Sequence, residues 1–184
     1  MLYRYAPHIR SYVGLDVARE HLEEAGKRIE TLTGHYGRPF EVGLIECDVA
    51  EPWPKLPRFE VAVYTSALEH LPREQGIASL RNTAAALAGG GRLYLSTPNT
   101  PGDPPRKLQY RVHVYEWHYD ELSHVLAEAG LVVEAVIGLL PPPPQELAAA
   151  LGHVFGCGRS SMVRAATRGR AGAVPRHGLG QRRS

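Results

Sequence analysis

Acidic side chains follow two of the apolar runs in this 184-residue chain. Asp16 ends the run Tyr-Val-Gly-Leu-Asp, and Asp48 follows a run that closes on Cys47. A carboxylate at the end of a strand can accept two hydrogen bonds from a ribose diol, and one beside exposed backbone groups can hold an adenine amino group. Each residue also has a local alternative, because Asp16 can cap the following helix and Asp48 can bond its own backbone in a turn. The residues alone leave both alternatives open.

A third candidate lies in residues 59–72, where an apolar run changes to small polar residues and then to Glu69-His70. Small residues allow a ligand to approach the backbone closely. His70 is a candidate general base, because imidazole titrates near neutral pH. The alternative is that Glu69 and His70 only cap and orient the next helix, and for catalysis the pattern favours that alternative.

Histidines cluster again at residues 113–118 together with an acid and a tryptophan. His113, Glu116 and His118 are residue types that bind metals, and they could add ligands to the Glu69-His70 pair. This segment alternates like an extended chain, however, so His113 and His118 should point to opposite sides. We therefore expect no metal site. Trp117 suits either a substrate pocket or plain packing at the start of a helix.

The elements that position these residues alternate between strand and helix patterns. Apolar residues from Leu22 to Leu32 are spaced 3, 4 and 3 apart, which indicates one face of a helix, and the same spacing recurs at residues 77–87. Glycines at 34 and 37 should end the first helix, and those at 89–91 the second. The predicted strands span residues 12–16, 40–47, 61–64, 92–97 and 131–137, with a further candidate at 161–166, and the helices span 19–32, 77–87 and 120–129.

This alternation predicts an α/β fold with a mostly parallel sheet and helices on both faces. The apolar run at residues 61–64 is typical of a strand that is covered on both sides. In such sheets, ligands bind at the carboxyl ends of the strands.

Taken together, these segments resemble the class I S-adenosylmethionine-dependent methyltransferases. The likeness is greatest to the small-molecule branch that carries a Leu-Glu-His-Leu-Pro segment, which stands here at residues 68–72. It covers residues 12–139, about two thirds of the chain, and includes the later segments at 90–99 and 118–138 in the family's order. The resemblance implies a Rossmann-like methyltransferase sheet, S-adenosyl-L-methionine as cofactor and a small-molecule acceptor.

The resemblance also assigns roles to individual residues. Asp16 would hold the ribose, Asp48 and its neighbours the adenine, and the end of the third strand the methionine part of the cofactor. His70 would be the catalytic base. The implied cofactor-binding residues are Asp16, Val17, Cys47, Asp48, Val49, Tyr64 and Thr65, and the implied acceptor contacts are His113, Trp117 and His118.

One part of the family pattern is missing. Its first strand and Gly-rich loop should precede residue 12, but the 11 residues there contain no glycine. That strand is central in the family, so we expect an N-terminally truncated sheet whose flanking strands pair directly, or a marginal fragment. Residues 154–160 contain a Gly-Cys-Gly that resembles the loop superficially, and we interpret it as ordinary loop. The alternative function is therefore a catalytically inactive remnant or partner subunit without cofactor binding.

Composition limits the class of protein. With 43% hydrophobic and 22% charged residues, the chain is typical of a globular domain, and no apolar run reaches the length of about 18 residues that a membrane span needs. The start has no secretory signal pattern, and two cysteines are too few for a disulfide framework, so we expect a cytoplasmic protein. We predict a methyltransferase domain over residues 1–140, a Pro-rich segment with a candidate helix over 141–158, and a tail over 159–184.

The charge is unevenly distributed. Seven of the 21 basic residues, and no acid, lie in residues 159–184, which leaves the rest of the chain with a net charge of −5. An acidic body argues against nucleic-acid binding by the main domain. The tail could bind an acidic partner such as RNA, but its arginines are scattered among Gly and Ala, which favours a solvated, poorly ordered segment with one candidate strand. Nothing in the sequence gives the oligomeric state.

Overall fold

The computed structural model describes residues 8–36, 40–138 and 161–167. They form six strands, three α-helices and one 3-10 turn. The elements are β1 (Ser11–Asp16), α1 (Arg19–Tyr36), β2 (Glu41–Glu46), β3 (Phe59–Thr65), the 3-10 turn (Leu68–His70), α2 (Arg73–Ala86), β4 (Leu87–Thr97), α3 (Tyr119–Glu128), β5 (Leu131–Gly138) and β6 (Ser161–Thr167). The predicted mixed α/β fold is confirmed, and the candidate strand at 161–166 is present as β6.

The strands form two sheets. β1 and β2 pair in parallel through the α1 crossover, with Asp16 opposite Glu46. β3 and β4 also pair in parallel, and the order of this second sheet is β3-β4-β6-β5 with β6 antiparallel to both of its neighbours. Within the described residues, β1 and β3 do not pair with each other, so the expected compacted sheet is not formed. Each of these two strands therefore has one edge without a described strand partner.

The core lies on one face of the four-stranded sheet. Leu93 and Leu95 of β4 project into it from the sheet, and Leu80 of α2 and Leu126 of α3 meet them from the helices. All four side chains are fully buried. Burial of a leucine side chain is worth about 1.5–3 kcal/mol, so this cluster anchors both helices to the sheet.

The other face of this sheet is open over β3. Val61 and Val63 are 54% and 50% exposed, whereas Ala62 and Tyr64, which alternate with them, pack against the core. β3 is thus a strand, as predicted, but among the described residues only one of its faces is covered.

Two predicted boundaries are wrong. α1 continues through Gly34 to Tyr36, because a single exposed glycine costs a helix only about 1 kcal/mol. Leu87 belongs to β4 rather than to the helix, and it pairs with Phe59. The register then shifts, and Gly91 lies so close to Phe59 that a Cβ there would be 2.9 Å from the carbonyl oxygen of Phe59. The glycines predicted to end a helix therefore form an irregular start to a strand.

Two further predictions lie outside the described residues, namely the candidate helix in 141–158 and the loop at 154–160. Of the tail, only β6 is described. No helix among the described residues combines the length and apolarity that crossing a membrane requires.

Candidate functional site

The two predicted strand-end acids lie on neighbouring strands. The backbone N–H of Cys47 donates to the carbonyl of Asp16 at 2.9 Å, which holds the carboxyl ends of β1 and β2 side by side. Asp16 Oδ1 accepts from the N–H of Ala18 at 2.8 Å, and Asp48 Oδ1 accepts from the N–H of Ala50 at 2.9 Å. Both are side-chain-to-backbone turn bonds across two positions, as the sequence left open for Asp48. Asp16 is not the N-cap of α1, because its carboxylate bonds Ala18, which itself precedes the first helical residue. Because a carboxylate has about four acceptor sites, neither bond uses the full capacity of its group.

The residues beside these acids differ in exposure. Val17 is 71% exposed next to Asp16, and Val49 is half-buried next to Asp48. Burial, and then the Asp48 carboxylate, raise the pKa of the Cys47 thiol. Cys47 is therefore a poor nucleophile, and its predicted contribution is contact with a ligand rather than covalent chemistry.

The end of β3 lies near the Asp48 turn. The pKa of Tyr64 is raised, mainly by burial. A hydrogen bond with Ser79 lowers this pKa, and the carboxylates of Glu69 and Asp48 raise it. Asn82 of α2 donates to the carbonyl of Val49 at 3.1 Å. This bond connects the turn after β2 to α2, which packs on the four-stranded sheet. That turn is thus held to the helix that follows β3.

Tyr64 and Thr65 occupy different surroundings. The Tyr64 hydroxyl donates to Ser79 Oγ at 2.9 Å and its ring packs against the core, whereas Thr65 is exposed. Successive residues of a strand point to opposite faces, so the two side chains do not line one surface together. After Thr65 the chain turns sharply at Ser66, whose φ is 51°.

Segment 109–118 packs against the 3-10 turn that follows β3. The N–H groups of Val114 and Tyr115 donate to the carbonyl of Glu69 at 2.8 and 3.2 Å. His70 Nδ1 lies 3.1 Å from the carbonyl oxygen of Val112, and its ring meets the ring of His113 edge-on at 5.4 Å. Two predicted site residues, His70 and His113, are therefore adjacent although 43 positions separate them in the chain.

Glu69, His70 and His113 also bring potential ligand atoms together. These atoms all lie within 4.8 Å of one another. Glu69 is buried at 4% exposure, and its Oε2 atom has no hydrogen-bond partner. The sequence argument weighed His113, Glu116 and His118 as additions to Glu69-His70 and expected no metal site, because His113 and His118 should point to opposite sides. His118 does stay apart, and its Nδ1 accepts from the N–H of Asp120 as the cap of α3.

The buried side chain of Glu116 accepts a hydrogen bond from His113. Its Oε1 lies 2.6 Å from His113 Nδ1 and accepts from the N–H of Gln109 at 2.7 Å, while Oε2 accepts from the Thr100 hydroxyl. Burial alone would raise the pKa of Glu116, but these hydrogen bonds outweigh it and lower the pKa below 4.5. Glu116 is therefore ionised, and an ionised carboxylate can only accept, so the proton lies on His113 Nδ1.

Trp117 is mainly a core residue. It is 1% exposed, pairs with Asn99 in a parallel bridge, and fills the space above Gly76. It also lines a small pocket at the end of β4, together with the other predicted acceptor contact, His118. The pocket is lined by Thr97, Pro98, Asn99, Trp117, His118, Tyr119 and Leu122. A second hollow lies between α1 and β2, and neither hollow is lined by Asp16 or Asp48.

The sequence argument missed a buried ion-pair network behind this pocket. Glu121 accepts from Arg73 Nε and Arg106 Nη1, both at 2.8 Å, and from the Tyr115 hydroxyl. Burial alone would raise the pKa of Glu121, but these hydrogen bonds lower it overall. Arg106 also donates to the carbonyl of Glu116 at 3.0 Å, so the network holds the segment that carries His113. Its only sequence signal was an Arg in a loop and a Glu near a helix start.

No protein-family model and no curated protein matches the chain. Solved structures match its fold. A Bacillus halodurans protein provisionally described as a methyltransferase is 18% identical, with 90% of this chain aligned to 87% of that chain at a TM-score of 0.66. The N-methyltransferase NodS from Bradyrhizobium japonicum, solved with S-adenosyl-L-homocysteine, is 15% identical, with coverage of 90% and 70% and a TM-score of 0.59.

The [4+2]-cyclase SpnF is also similar, at 16% identity, coverage of 91% and 70%, and a TM-score of 0.63. At these identities the comparisons establish the fold. The chain has the fold of class I S-adenosylmethionine-dependent methyltransferases, as the sequence predicted. The presence of a cyclase among the matches means that this fold does not by itself specify methyl transfer.

Proposed function

We propose that this protein binds S-adenosyl-L-methionine and transfers its methyl group to a small-molecule acceptor. The observation that carries the proposal is the pair of acids, Asp16 and Asp48, at the carboxyl ends of two adjacent parallel strands. Ligands of open α/β sheets bind at these ends. The fold match to NodS, which was solved with the demethylated cofactor, supports the same assignment.

The side chains present fit the nucleoside part of this cofactor. Asp16 is 38% exposed, and it retains acceptor capacity beyond its bond to Ala18 and the 3.4 Å contact of Oδ2 with His21 Nδ1, which suits a ribose diol. The exposed Val17 offers an apolar surface beside it. Asp48 and Val49 would face the adenine from β2, and Thr65 is the exposed residue at the end of β3.

The bound cofactor supplies an electrophilic methyl group on a sulfonium. The chain itself must bind the acceptor, align it and exclude water, and correct alignment of two reactants accounts for much of the rate of such a step. The pocket at the end of β4, with Trp117 and His118, is the proposed acceptor contact. His70 Nδ1 is directed at the carbonyl of Val112, so Nε2 is the atom that could take a proton from the acceptor.

Calorimetric titration with the cofactor tests the binding step. Asp16→Asn keeps the local turn bond, because an Asn side-chain oxygen can accept the same Ala18 N–H, but it removes the charge. Loss of charge-assisted hydrogen bonds should weaken binding about 10- to 100-fold. Asp103→Asn, in an exposed loop, is the matched control and should leave the affinity unchanged. An equal loss in both variants, or no binding by the wild-type chain, would contradict the proposal.

A second function is favoured by the division of the sheet. Within the described residues no strand lies between β1 and β3, which suits a remnant or partner subunit that keeps the fold without binding the cofactor. This alternative predicts a cooperative unfolding transition that cofactor does not shift. Because a cyclase shares the fold, formation of S-adenosyl-L-homocysteine in the presence of candidate acceptors is the readout that distinguishes methyl transfer from cofactor binding alone.

A further inference from the structure

We propose that Glu69, His70 and His113 form a binding site for one divalent transition-metal ion, with Zn²⁺ as the best fit. The three side chains offer one carboxylate oxygen and two imidazole nitrogens within 4.8 Å of one another. This inference replaces the expectation of no metal that the sequence suggested. It is independent of the proposed cofactor binding, because it uses none of the predicted cofactor contacts, although it gives His70 a different role.

The hydrogen bonds fix which nitrogens are available. His113 Nδ1 faces Glu116 Oε1, which also accepts from the N–H of Gln109, and His70 Nδ1 faces the Val112 carbonyl, so both partners act as acceptors. Both imidazoles therefore carry their proton on Nδ1 and keep a free lone pair on Nε2. A metal-bound histidine typically donates its other ring N–H to a carboxylate or a backbone carbonyl in this way, which orients the ring and raises its basicity.

Glu69 supplies a second, independent indication. Its side chain is buried, and Oε2 has no hydrogen-bond partner among the described residues. An unpaired carboxylate oxygen is costly to bury, and a cation beside it removes that cost.

The ligand set selects the class of metal. Two imidazoles and one carboxylate suit Zn²⁺ and its neighbours in the first transition row, whereas Mg²⁺ and Ca²⁺ prefer oxygen ligands alone. Zinc bonds of about 2.0–2.1 Å in a tetrahedral site require ligand atoms about 3.3 Å apart, so the cluster must contract on binding. His70 is exposed and can make that movement. Three protein ligands leave a fourth position open to solvent or substrate, as in catalytic zinc sites.

Metal binding would change the role of His70. The lone pair on Nε2 that could accept a proton from the acceptor is the one that the ion would use. In the metal-loaded protein, His70 would therefore be a ligand and not a general base.

Titration of the full chain tests the site. After removal of metals with a chelator, the wild-type protein should bind one equivalent of Zn²⁺ by calorimetry, and Co²⁺ should give the visible absorption of a low-symmetry site. His70→Ala and His113→Gln should each weaken Zn²⁺ binding about 100-fold or more, since even the loss of a supporting outer partner costs about 10- to 100-fold. His124→Ala, which alters an exposed histidine of α3, should leave binding unchanged. Circular dichroism confirms that each variant is folded.

X-ray absorption of the zinc-loaded wild-type chain gives a readout that does not depend on variants. We expect nitrogen and oxygen ligands with the scattering of two imidazoles. A sulfur contribution would place the metal at Cys47 or Cys157 and overturn the proposal. Absence of binding at millimolar Zn²⁺, or an equal loss in His124→Ala, would overturn it as well. None of these results bears on cofactor binding, which is measured separately.

Discussion

Glu121→Gln is the most informative test of the buried ion-pair network. Glu121 is 18% exposed and Arg106 only 5% exposed, and each of the two arginines donates to Glu121 at 2.8 Å. Removing one partner of a buried pair costs about 3–5 kcal/mol, because the other charge stays buried without compensation. Gln retains the shape and one acceptor oxygen, and the partial exposure adds solvent screening, so we expect a loss of about 2–3 kcal/mol. For a chain of this size that corresponds to a fall in Tm of about 5–10 °C.

The pH dependence of this loss follows from the pKa of Glu121. That pKa is lower in the folded protein than its ordinary value of 4.5, since the hydrogen bonds from Arg73, Tyr115 and Arg106 outweigh burial. A depressed carboxyl pKa gives stability that is fully present above the unfolded value and is lost as the pH falls through the folded value. The difference in stability between wild type and Glu121→Gln should therefore be constant above about pH 5 and shrink below about pH 4.

Urea unfolding followed by circular dichroism, repeated at several pH values, measures this difference. Glu74→Gln is the matched control, because Glu74 also pairs with Arg73 but its side chain is 81% exposed. It should cost less than about 0.5 kcal/mol at any pH. A loss of similar size in both variants, or a Glu121→Gln effect that is unchanged at about pH 3, would refute the network as described.

Two further substitutions test how the sheet is held. Gly91→Ala should destabilise the protein by about 1–3 kcal/mol, because its Cβ would lie 2.9 Å from the Phe59 carbonyl, whereas Gly89→Ala meets no atom within 4 Å and should change the free energy of unfolding much less. Asn82→Ala removes two hydrogen bonds to the turn after β2, at 3.1 and 2.8 Å, and should cost about 1–2 kcal/mol and speed amide exchange in that turn, whereas Arg81→Ala on the same helix should do neither.

The sequence predicted the fold because the relevant signals are local. The spacing of apolar residues identified α1 and α2, and the position of each strand followed from short apolar runs between turn residues. The boundaries at Gly34 and Leu87 were wrong because a glycine only disfavours a helix slightly, while pairing with Phe59 extends β4. Strand pairing is a tertiary contact, and the residue type at a single position does not reveal it.

The candidate site could be predicted only in part for the same reason. Asp16 and Asp48 each follow their strand directly, so their positions at the strand ends could be inferred from the sequence. The approach of His70 to His113 depends on how the segment before α3 packs on the 3-10 turn, which no spacing rule gives. The argument from alternation separated His118 from His113 but could not show that His113 approaches His70 and Glu69.

Among the described residues no strand pairs with the outer edge of β3, and this has a consequence for handling the protein. An edge strand offers unpaired backbone N–H and C=O groups to any extended peptide. In β3, the side chains of Val61 and Val63 add exposed apolar surface beside these groups. An edge strand of this kind favours pairing with a second molecule. The protein should therefore self-associate through β3 at high concentration. Val63→Lys should reduce this self-association, and it leaves the packed face of the strand unchanged.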